Sequence, residues 1–249
     1  MDLESAAWIV GSGLCTGLGG LGLLFVRRAS GRLLDVLLGF TAGVMLAATT
    51  FSLLVPALDR GGIGEVVAGF ALGAAALLAL DAFLPHMHAR RSEHGRAAAE
   101  DASAHRARML LSALTIHNIP EGLSVGLAFA AGGPDLGIPL ALAIGIQNIP
   151  EGFAAVAPLY ARGTSLGAAI GIATLTGAVE PPAGLLAYAA SELVEPLVAG
   201  GLGFAGGAML YVIADELIPE SHRGGNELSA TVALLAGFVL MLVLDNAFG

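Results

Sequence analysis

Two nearly identical hexapeptides, each set in the middle of an apolar stretch, constrain this amino-acid sequence most strongly. They read His-Asn-Ile-Pro-Glu-Gly at 117–122 and Gln-Asn-Ile-Pro-Glu-Gly at 147–152. A carboxylate at mid-membrane depth costs about 3 kcal/mol on insertion scales, so it usually faces a cavity and a partner. Two such carboxylates repel each other unless they share a proton or a cation. The duplication therefore predicts two helices that each bring an amide, a proline break and a carboxylate to one ion site.

The composition indicates that the chain lies in a membrane. Apolar residues make up 56% and charged residues 12% of the 249 positions, whereas soluble domains carry roughly twice that charged share. The mean hydropathy is strongly positive, and the apolar runs are continuous rather than alternating, which excludes the strands of a membrane barrel. We therefore predict an all-α polytopic membrane protein with eight transmembrane helices and a metal site in the helix bundle.

Eight segments reach the length of about 20 apolar residues that crosses a bilayer. We expect them to form a single transmembrane domain over residues 1–249. A polar cytoplasmic loop, residues 87–108, follows the third span; it is either a solvated linker or, through its histidines, a weak metal-holding segment. The predicted spans are Ala6–Val26, Leu33–Leu58, Ile63–His86, Met109–Ala131, Leu136–Ala161, Leu166–Ala190, Pro196–Ile218 and Leu228–Phe248.

The placement of arginine predicts how the chain is oriented. All eleven basic residues are arginine; ten lie in the connections after the first, third, fifth and seventh spans, and only Arg60 lies at the other end. Connections rich in basic residues stay in the cytoplasm. We therefore expect a multi-pass protein of the inner cell membrane with both termini on the extracytoplasmic side. Because no continuous basic face exists, nucleic acid is not an expected partner.

The hexapeptides gather potential metal ligands on one face of each helix. His117 and Glu121 are four residues apart and stack on one face, with Asn118 beside them. Imidazole, carboxylate and amide groups without a thiolate suit a borderline divalent cation such as zinc, iron(II), manganese or cadmium. The alternative is a buried polar cluster that only joins helices. The second copy repeats the arrangement with Gln147, Asn148 and Glu151.

Other polar residues lie in or near the spans at different depths. Glu180 precedes two prolines that predict a broken helix; it either supplies a second metal position or makes a protonated contact between helices. The single cysteine, Cys15, is interpreted as a small helix-packing residue. Met45, Ser52 and Asp59 follow one another at a spacing of seven and are expected on one face of a helix. Met45 is either a thioether ligand or a core residue. Near the cytoplasmic ends, where interfacial polarity explains polar residues as well as ion handling does, lie Asp81, His86, His88 and the segment 215–222.

With these residues assembled, the chain resembles the bacterial branch of the ZIP (Zrt/Irt-like protein) family of divalent-metal transporters. The likeness covers the whole chain, from the eight spans and external termini to the histidine-bearing third connection and the two hexapeptides. It implies two adjacent metal positions between spans two, four, five and six. The first would use Met45, His117, Glu121, Gln147 and Glu151. The second would use Asn118, Glu121, Asn148, Glu151 and Glu180.

The resemblance also implies a path and a motion. Similar proteins move metal into the cytoplasm as dimers, with spans one, four, five and six sliding against the rest. Many relatives carry histidine where this chain has Gln147, and some bacterial ones carry aspartate at the position of Asn148, so the present site is less charged. The resemblance places the external entrance at Ser52 and Asp59, and the cytoplasmic exit at Asp81, His86 and His88.

The leading hypothesis is uptake of zinc, or a similar divalent cation, as a transported substrate. No ATP is expected, because the phosphate-binding glycine loop with its lysine is missing, and no organic cofactor is expected. The lipid bilayer is a partner, and a homodimer is compatible with the Gly/Ala-rich faces. An intramembrane metal-dependent hydrolase is the alternative, although the pattern His-Glu-x-x-His is absent. A proton-coupled exchanger that uses the same glutamates is a third, overlapping hypothesis.

Overall fold

Helices account for nearly all of the described chain, and no strand occurs in it. The structure, a computed structural model, describes residues 2–26, 29–83, 96–193 and 198–248. This confirms the all-α prediction. The α-helices are α1 Leu3–Leu21, α2 Gly31–Ala47, α3 Val55–Arg60, α4 Ile63–Phe83, α5 Arg96–Gly132, α6 Pro134–Ala161, α7 Leu166–Gly177, α8 Glu180–Leu193, α9 Val198–Val212, α10 Ile218–Ser221 and α11 Glu227–Phe248.

Several helices begin at a side-chain cap that the sequence supplies. The Asp2 carboxylate accepts a hydrogen bond from the backbone N–H of Ser5 at 2.6 Å, and this bond lowers the pKa of the Asp2 carboxyl. Ser30 and Ser165 cap α2 and α7 in the same way. Each cap satisfies one of the backbone donors that a helix start leaves unpaired.

Seven helical runs in the described residues are long and apolar enough to cross a membrane. Together with α5, which contains the span predicted over 109–131, they confirm a polytopic membrane protein. Where a loop was expected over 87–108, the structure extends α5 back to Arg96, because the alanine-rich segment that follows favours a helix; residues 84–95 lie outside the description. The seven runs are Leu3–Leu24, Gly31–Arg60, Ile63–Leu80, Pro134–Ala161, Leu166–Ser191, Val198–Ser221 and Glu227–Ala247.

The proline motifs affect the helices in different ways. The double proline of the sixth span breaks the helix as predicted, since α7 ends at Gly177 and α8 starts at Glu180. By contrast, α5 and α6 continue through Pro120 and Pro150. In lipid, such missing donors are tolerated where neighbouring protein or a polar cavity lies beside the helix.

Two widened helical turns, which the sequence analysis did not predict, interrupt the second and seventh spans. Both are π-helical, at Ala48–Leu54 and Ile213–Leu217. Each ends just before an X-Pro pair, and the N–H of the residue before proline reaches back to a carbonyl five positions earlier, Val55 to Thr50 and Ile218 to Ile213. The spacing of seven expected for the second span therefore does not keep its residues on one regular α-helical face.

The helices sort into two groups, and glycine contacts show how the first is held together. It consists of α1, α5, α6, α7 and α8, which form the spans that the resemblance expects to slide, and we therefore call it the transport group. A Cβ added at Gly122 would collide with the backbone of Glu180, and one at Gly152 with the backbone of Thr16. Backbones can approach this closely only where a helix carries glycine. At these two points the helix backbones are therefore in direct contact.

The second group, which we call the scaffold group, is packed in the same manner. It consists of α2, α3, α4, α9, α10 and α11. A Cβ at Gly43 would collide with the backbone at Leu234, and one at Gly73 with the backbone at Phe204. Between the two groups, by contrast, the close neighbour of a glycine is a side chain. A Cβ at Gly201 would meet only the side chain of Leu127, at 3.1 Å. The boundary between the groups is thus filled by side chains rather than by interlocked backbones.

Candidate metal centre

The predicted site lies where α5, α6 and the start of α8 face one another. All three of its glutamates are buried, at 0% exposure for Glu121, 3% for Glu151 and 1% for Glu180. Glu121 interacts electrostatically with both of the others. The remaining predicted ligands are buried as well, namely Met45, His117, Asn118, Gln147 and Asn148.

The two hexapeptides meet directly through one amide and one carboxylate. Gln147 Nε2 donates a hydrogen bond to Glu121 Oε1 at 2.7 Å. This contact joins the middle of α5 to the middle of α6, as the duplication predicted. Thr41 of α2 also donates to the backbone carbonyl of Gln147 at 3.4 Å, which brings the scaffold group to the same point.

Asn148 connects Glu180 to the second hexapeptide. Its Nδ2 lies 3.0 Å from both carboxylate oxygens of Glu180 and 3.0 Å from the backbone carbonyl of Ser12 in α1. Glu180 occupies the first position of α8. The structure therefore brings Glu180 to the site, as predicted, and adds the α1 backbone to it.

Asn118 is held by the broken helix of the sixth span. Its Nδ2 donates to the backbone carbonyl of Thr176 at 2.8 Å, just before α7 ends at Gly177. A carbonyl can only accept, so it fixes which end of the amide faces it. The amide nitrogen of Asn118 is turned to Thr176, and its oxygen is turned away.

Carboxylate and amide oxygens without a hydrogen-bond partner are concentrated in this site. A buried acceptor without a partner costs about 1–3 kcal/mol, and such atoms are few in native proteins. A cation is the natural partner of an oxygen cluster that contains no donor. The five unpartnered oxygens are Asn118 Oδ1, Glu121 Oε2, Gln147 Oε1, Asn148 Oδ1 and Glu151 Oε2.

The amide oxygens are essential to this arrangement. Among the described residues, no three His, Cys, Asp or Glu side chains are placed to hold a metal ion by themselves. The amide nitrogen of Gln147 donates a hydrogen bond to Glu121, and that of Asn148 donates to Glu180. A metal at this site would therefore draw on carboxylate and amide oxygens together, a set that suits hard and borderline divalent cations.

His117 makes a contact that the sequence analysis did not predict. Its Nε2 lies 2.6 Å from Oε1 of Glu216 in the seventh span. The sequence placed Glu216 only in a polar segment at the cytoplasmic end. Its position depends on the π-helical turn at Ile213–Leu217, which contains it. The only sequence signal was a carboxylate three residues before an isolated proline, Pro219.

The predicted entrance residues are not equivalent. Ser52 is buried, and its Oγ donates to Oδ1 of Asp245 in α11 at 2.8 Å. Asp59 is exposed near the end of α3. Met45 is buried in the apolar core on α2. Asp245 was not singled out by sequence reasoning, although it interrupts the last apolar span with a lone carboxylate.

The predicted exit residues fall mostly outside the description. Asp81 lies in the last turn of α4, but its side chain is not among those described. His86 and His88 belong to residues 84–95, which the structure does not describe. The segment 215–222, which was also expected near this end, is described, and its Glu216 contacts His117.

The chain is similar in sequence to known proteins. The family model for the ZIP Zinc transporter matches residues 84–245. The chain is 43% identical over 247 residues to the zinc transporter GufA of Myxococcus xanthus, covering 96% of both chains. It is 43% identical over 246 residues to the zinc transporter ZIPB of Bordetella bronchiseptica, covering 94% of this chain and 78% of that one.

A more distant relative is found in animals. The chain is 33% identical over 318 residues to the zinc transporter ZIP11 of Homo sapiens, covering 92% of this chain and 93% of that one. These three relatives are named as transporters and not as enzymes. On the family match and these identities, the chain belongs to the ZIP zinc transporter family.

Proposed function

We propose that this protein carries zinc, or a related divalent cation, across the membrane into the cytoplasm through the buried site between α2, α5, α6 and α8. The observation that carries the proposal is the set of five buried, unpartnered oxygens. Their lone pairs have no protein donor, and a divalent cation supplies the missing partner. The names of the relatives favour zinc as the substrate, and cadmium, iron(II) and manganese suit the same donor set.

Two metal positions share this donor set. The first uses the His117 side of the site and the second uses the Glu180 side. Glu121 and Glu151 bridge both positions, and together with Glu180 they supply three negative charges against the four positive charges of two divalent cations. The first position consists of Met45, His117, Glu121, Gln147 and Glu151. The second consists of Asn118, Glu121, Asn148, Glu151 and Glu180.

Solvent exposure supports a route through the site. On the side of Ser52, the residues Met45, Ala48 and Leu53 are each at most 1% exposed. On the opposite side, the Glu216 side chain is 20% exposed and touches His117. On this basis we propose that the site opens toward the arginine-rich end. Since basic connections favour the cytoplasm, we assign this end to the cytoplasm of an inner-membrane protein and the conformation to an inward-facing state.

A sliding motion of the two helix groups accounts for access from both sides. Backbone-to-backbone glycine contacts hold each group together, whereas side chains fill the boundary between them. The polar contacts of the described residues that cross that boundary include Arg60 to Ala131, Thr41 to Gln147 and His117 to Glu216. These contacts would break and re-form as the transport group moves. Broken helices beside the site, as at α7 and α8, are typical of transporters that work by alternating access.

The test is zinc uptake into proteoliposomes by the wild-type protein and by Glu151→Gln. Glutamine keeps the size of the side chain but cannot supply the charge that a divalent cation requires. We expect uptake to be lost while the protein elutes as a folded species from size exclusion. Glu220→Gln, on an exposed glutamate of α10, is the matched control and retains uptake. Full uptake by Glu151→Gln would contradict the assignment of the site.

A further inference from the structure

We infer that Thr49 belongs to the ion path and supplies its hydroxyl oxygen to the cation between Ser52 and the site. This inference rests on the transport function proposed above. Thr49 is 1% exposed, and its Oγ1 is the sixth buried side-chain atom without a hydrogen-bond partner in the described residues. The other five are all oxygens of the metal site. A hydroxyl that is buried without a hydrogen-bond partner, as these oxygens are, is best explained as a ligand of the same cation.

Comparison with Thr50 shows that the lack of a hydrogen-bond partner at Thr49 is unusual. A helical threonine ordinarily donates to the carbonyl four residues earlier, and Thr50 does so, to Leu46 at 2.9 Å. Thr49 lies in the same π-helical segment, Ala48–Leu54, yet makes no such bond. Neither the residue type nor the widened turn alone therefore explains the free hydroxyl of Thr49, because Thr50 shares both and is bonded. Widened turns of this kind occur frequently at functional sites.

Thr49 lies between a predicted metal ligand and a predicted entrance residue along the second span. Thr49 lies four residues after Met45, a predicted ligand, and three before Ser52, which bonds to Asp245. Its methyl carbon lies 3.8 Å from the place where a Cβ on Gly206 would stand. The methyl therefore faces α9, and the hydroxyl, on the other branch of the same Cβ, points elsewhere.

The chemistry needed at this point is that of a weak, neutral ligand. A cation that leaves the Ser52–Asp245 pair passes a closed apolar stretch, with Ala48 and Leu53 fully buried. A hydroxyl oxygen can replace one water of the hydration shell without holding the ion tightly. Conduction requires such sites to bind strongly enough for entry and weakly enough for release. Thr49 would thus affect the rate of uptake more than the affinity of the metal site.

The experiment compares Thr49→Val with Thr50→Val and Thr49→Ser. Valine keeps the shape of threonine and removes only the hydroxyl. The readouts are the maximal rate and half-saturation of zinc uptake in proteoliposomes, zinc binding at equilibrium in detergent, and the temperature of unfolding. We expect Thr49→Val to lower the maximal rate about tenfold, the worth of one hydrogen bond to a charged group. Zinc binding at equilibrium should stay unchanged, and Thr49→Ser should restore the rate.

Thermal unfolding separates this role from a structural one. Because the hydroxyl of Thr49 has no protein partner, its removal should leave the unfolding temperature unchanged or raise it. Thr50→Val loses a hydrogen bond and should transport at the wild-type rate. Wild-type uptake by Thr49→Val, or a rate loss matched by Thr50→Val, would overturn the inference. Thr49→Ala serves as a second variant if valine impairs folding. Absence of zinc uptake by the wild type would instead refute the proposed function itself.

Discussion

His117 Nε2 lies 2.6 Å from Glu216 Oε1, and the two residues belong to different helix groups. His117 sits in the first hexapeptide of the transport group, while Glu216 sits in the π-helical turn that follows α9 in the scaffold group. Its partly exposed carboxylate links the buried site to solvent at one end of the bundle. This pair is therefore a contact between the groups, and under the proposed function Glu216 would be the first oxygen ligand that a departing cation meets.

Replacing Glu216 by glutamine should slow zinc release. The change removes the charge but keeps an oxygen that accepts from His117. We expect the maximal rate of uptake in proteoliposomes to fall about tenfold, because hydrogen bonds to charged groups contribute about 1.5–3 kcal/mol. Glu220→Gln is the control; it breaks an exposed pair with Arg223, and such pairs contribute about 0–1 kcal/mol. Equal rates in the two variants would contradict a role for Glu216 in the route.

The sequence predicted the centre of this site better than its surroundings. The duplicated hexapeptides correctly indicated that α5 and α6 face each other, because a buried carboxylate in each required a common partner, and Glu121 does meet Gln147. The contact of Glu216 with His117 was not predictable in this way. It depends on a π-helical turn, which moves residues out of the register of a regular α-helix, so their spacing along the chain does not reveal the contact.

The same limit applies at the other end. Ser52 was identified as an entrance residue, but its partner Asp245 lies 193 positions away in α11. A lone carboxylate in an apolar span indicates function without identifying its contact. The amide orientations of Asn118 and Asn148 were likewise not predictable, since the backbone carbonyls that fix them belong to α7 and α1.

Gly122→Ala should destabilise the transport group. The added methyl would meet the backbone of Glu180, which cannot move as a flexible side chain can. Overpacking of this kind costs about 1–3 kcal/mol, so the unfolding temperature in detergent, followed by circular dichroism, should fall. Gly171→Ala is the matched control on α7, where nothing lies within 4 Å of the added Cβ. If the two variants melt alike, the close contact of α5 with α8 is not what holds this group together.

Arg60→Leu should open the entrance end. The guanidinium of Arg60 donates to the Ala131 carbonyl through Nε at 3.1 Å and Nη2 at 2.7 Å, and this contact joins α3 to the end of α5. Losing it favours the outward-facing state by about tenfold in population, given the usual worth of such hydrogen bonds. The measurement is the rate at which a membrane-impermeant thiol reagent modifies Ser52→Cys in a Cys15→Ser background.

Arg223→Leu is the control for that experiment. Its partner Glu220 lies only three residues away in the same end of the scaffold group, so its loss leaves the boundary between the groups untouched. In the Arg223→Leu protein, Ser52→Cys should be modified at the same rate as in the protein that keeps both Arg60 and Arg223. A rate that Arg60→Leu does not raise would show that the Arg60–Ala131 contact does not hold the entrance end closed.

A disulfide across the boundary between the groups should stop transport. Leu127 of α5 and Gly201 of α9 face each other there, since a Cβ at Gly201 would lie 3.1 Å from the Leu127 side chain. In a Cys15→Ser background, oxidation of the double variant Leu127→Cys/Gly201→Cys should abolish zinc uptake, because the two groups can no longer move past each other. Reduction should restore it. The readout is uptake in proteoliposomes, with the extent of cross-linking measured on the same samples.

The control places the same kind of bond inside one group. A Cβ at Gly206 would lie 2.7 Å from the Leu54 side chain, and both residues belong to the scaffold group. The double variant Leu54→Cys/Gly206→Cys should therefore keep its uptake when oxidised. Complete cross-linking of Leu127→Cys/Gly201→Cys with undiminished uptake would mean that metal crosses without relative motion of the two groups. In that case the glycine contacts confined to each group would serve stability alone, and the path past Thr49 would have to open by side-chain movements within a fixed bundle.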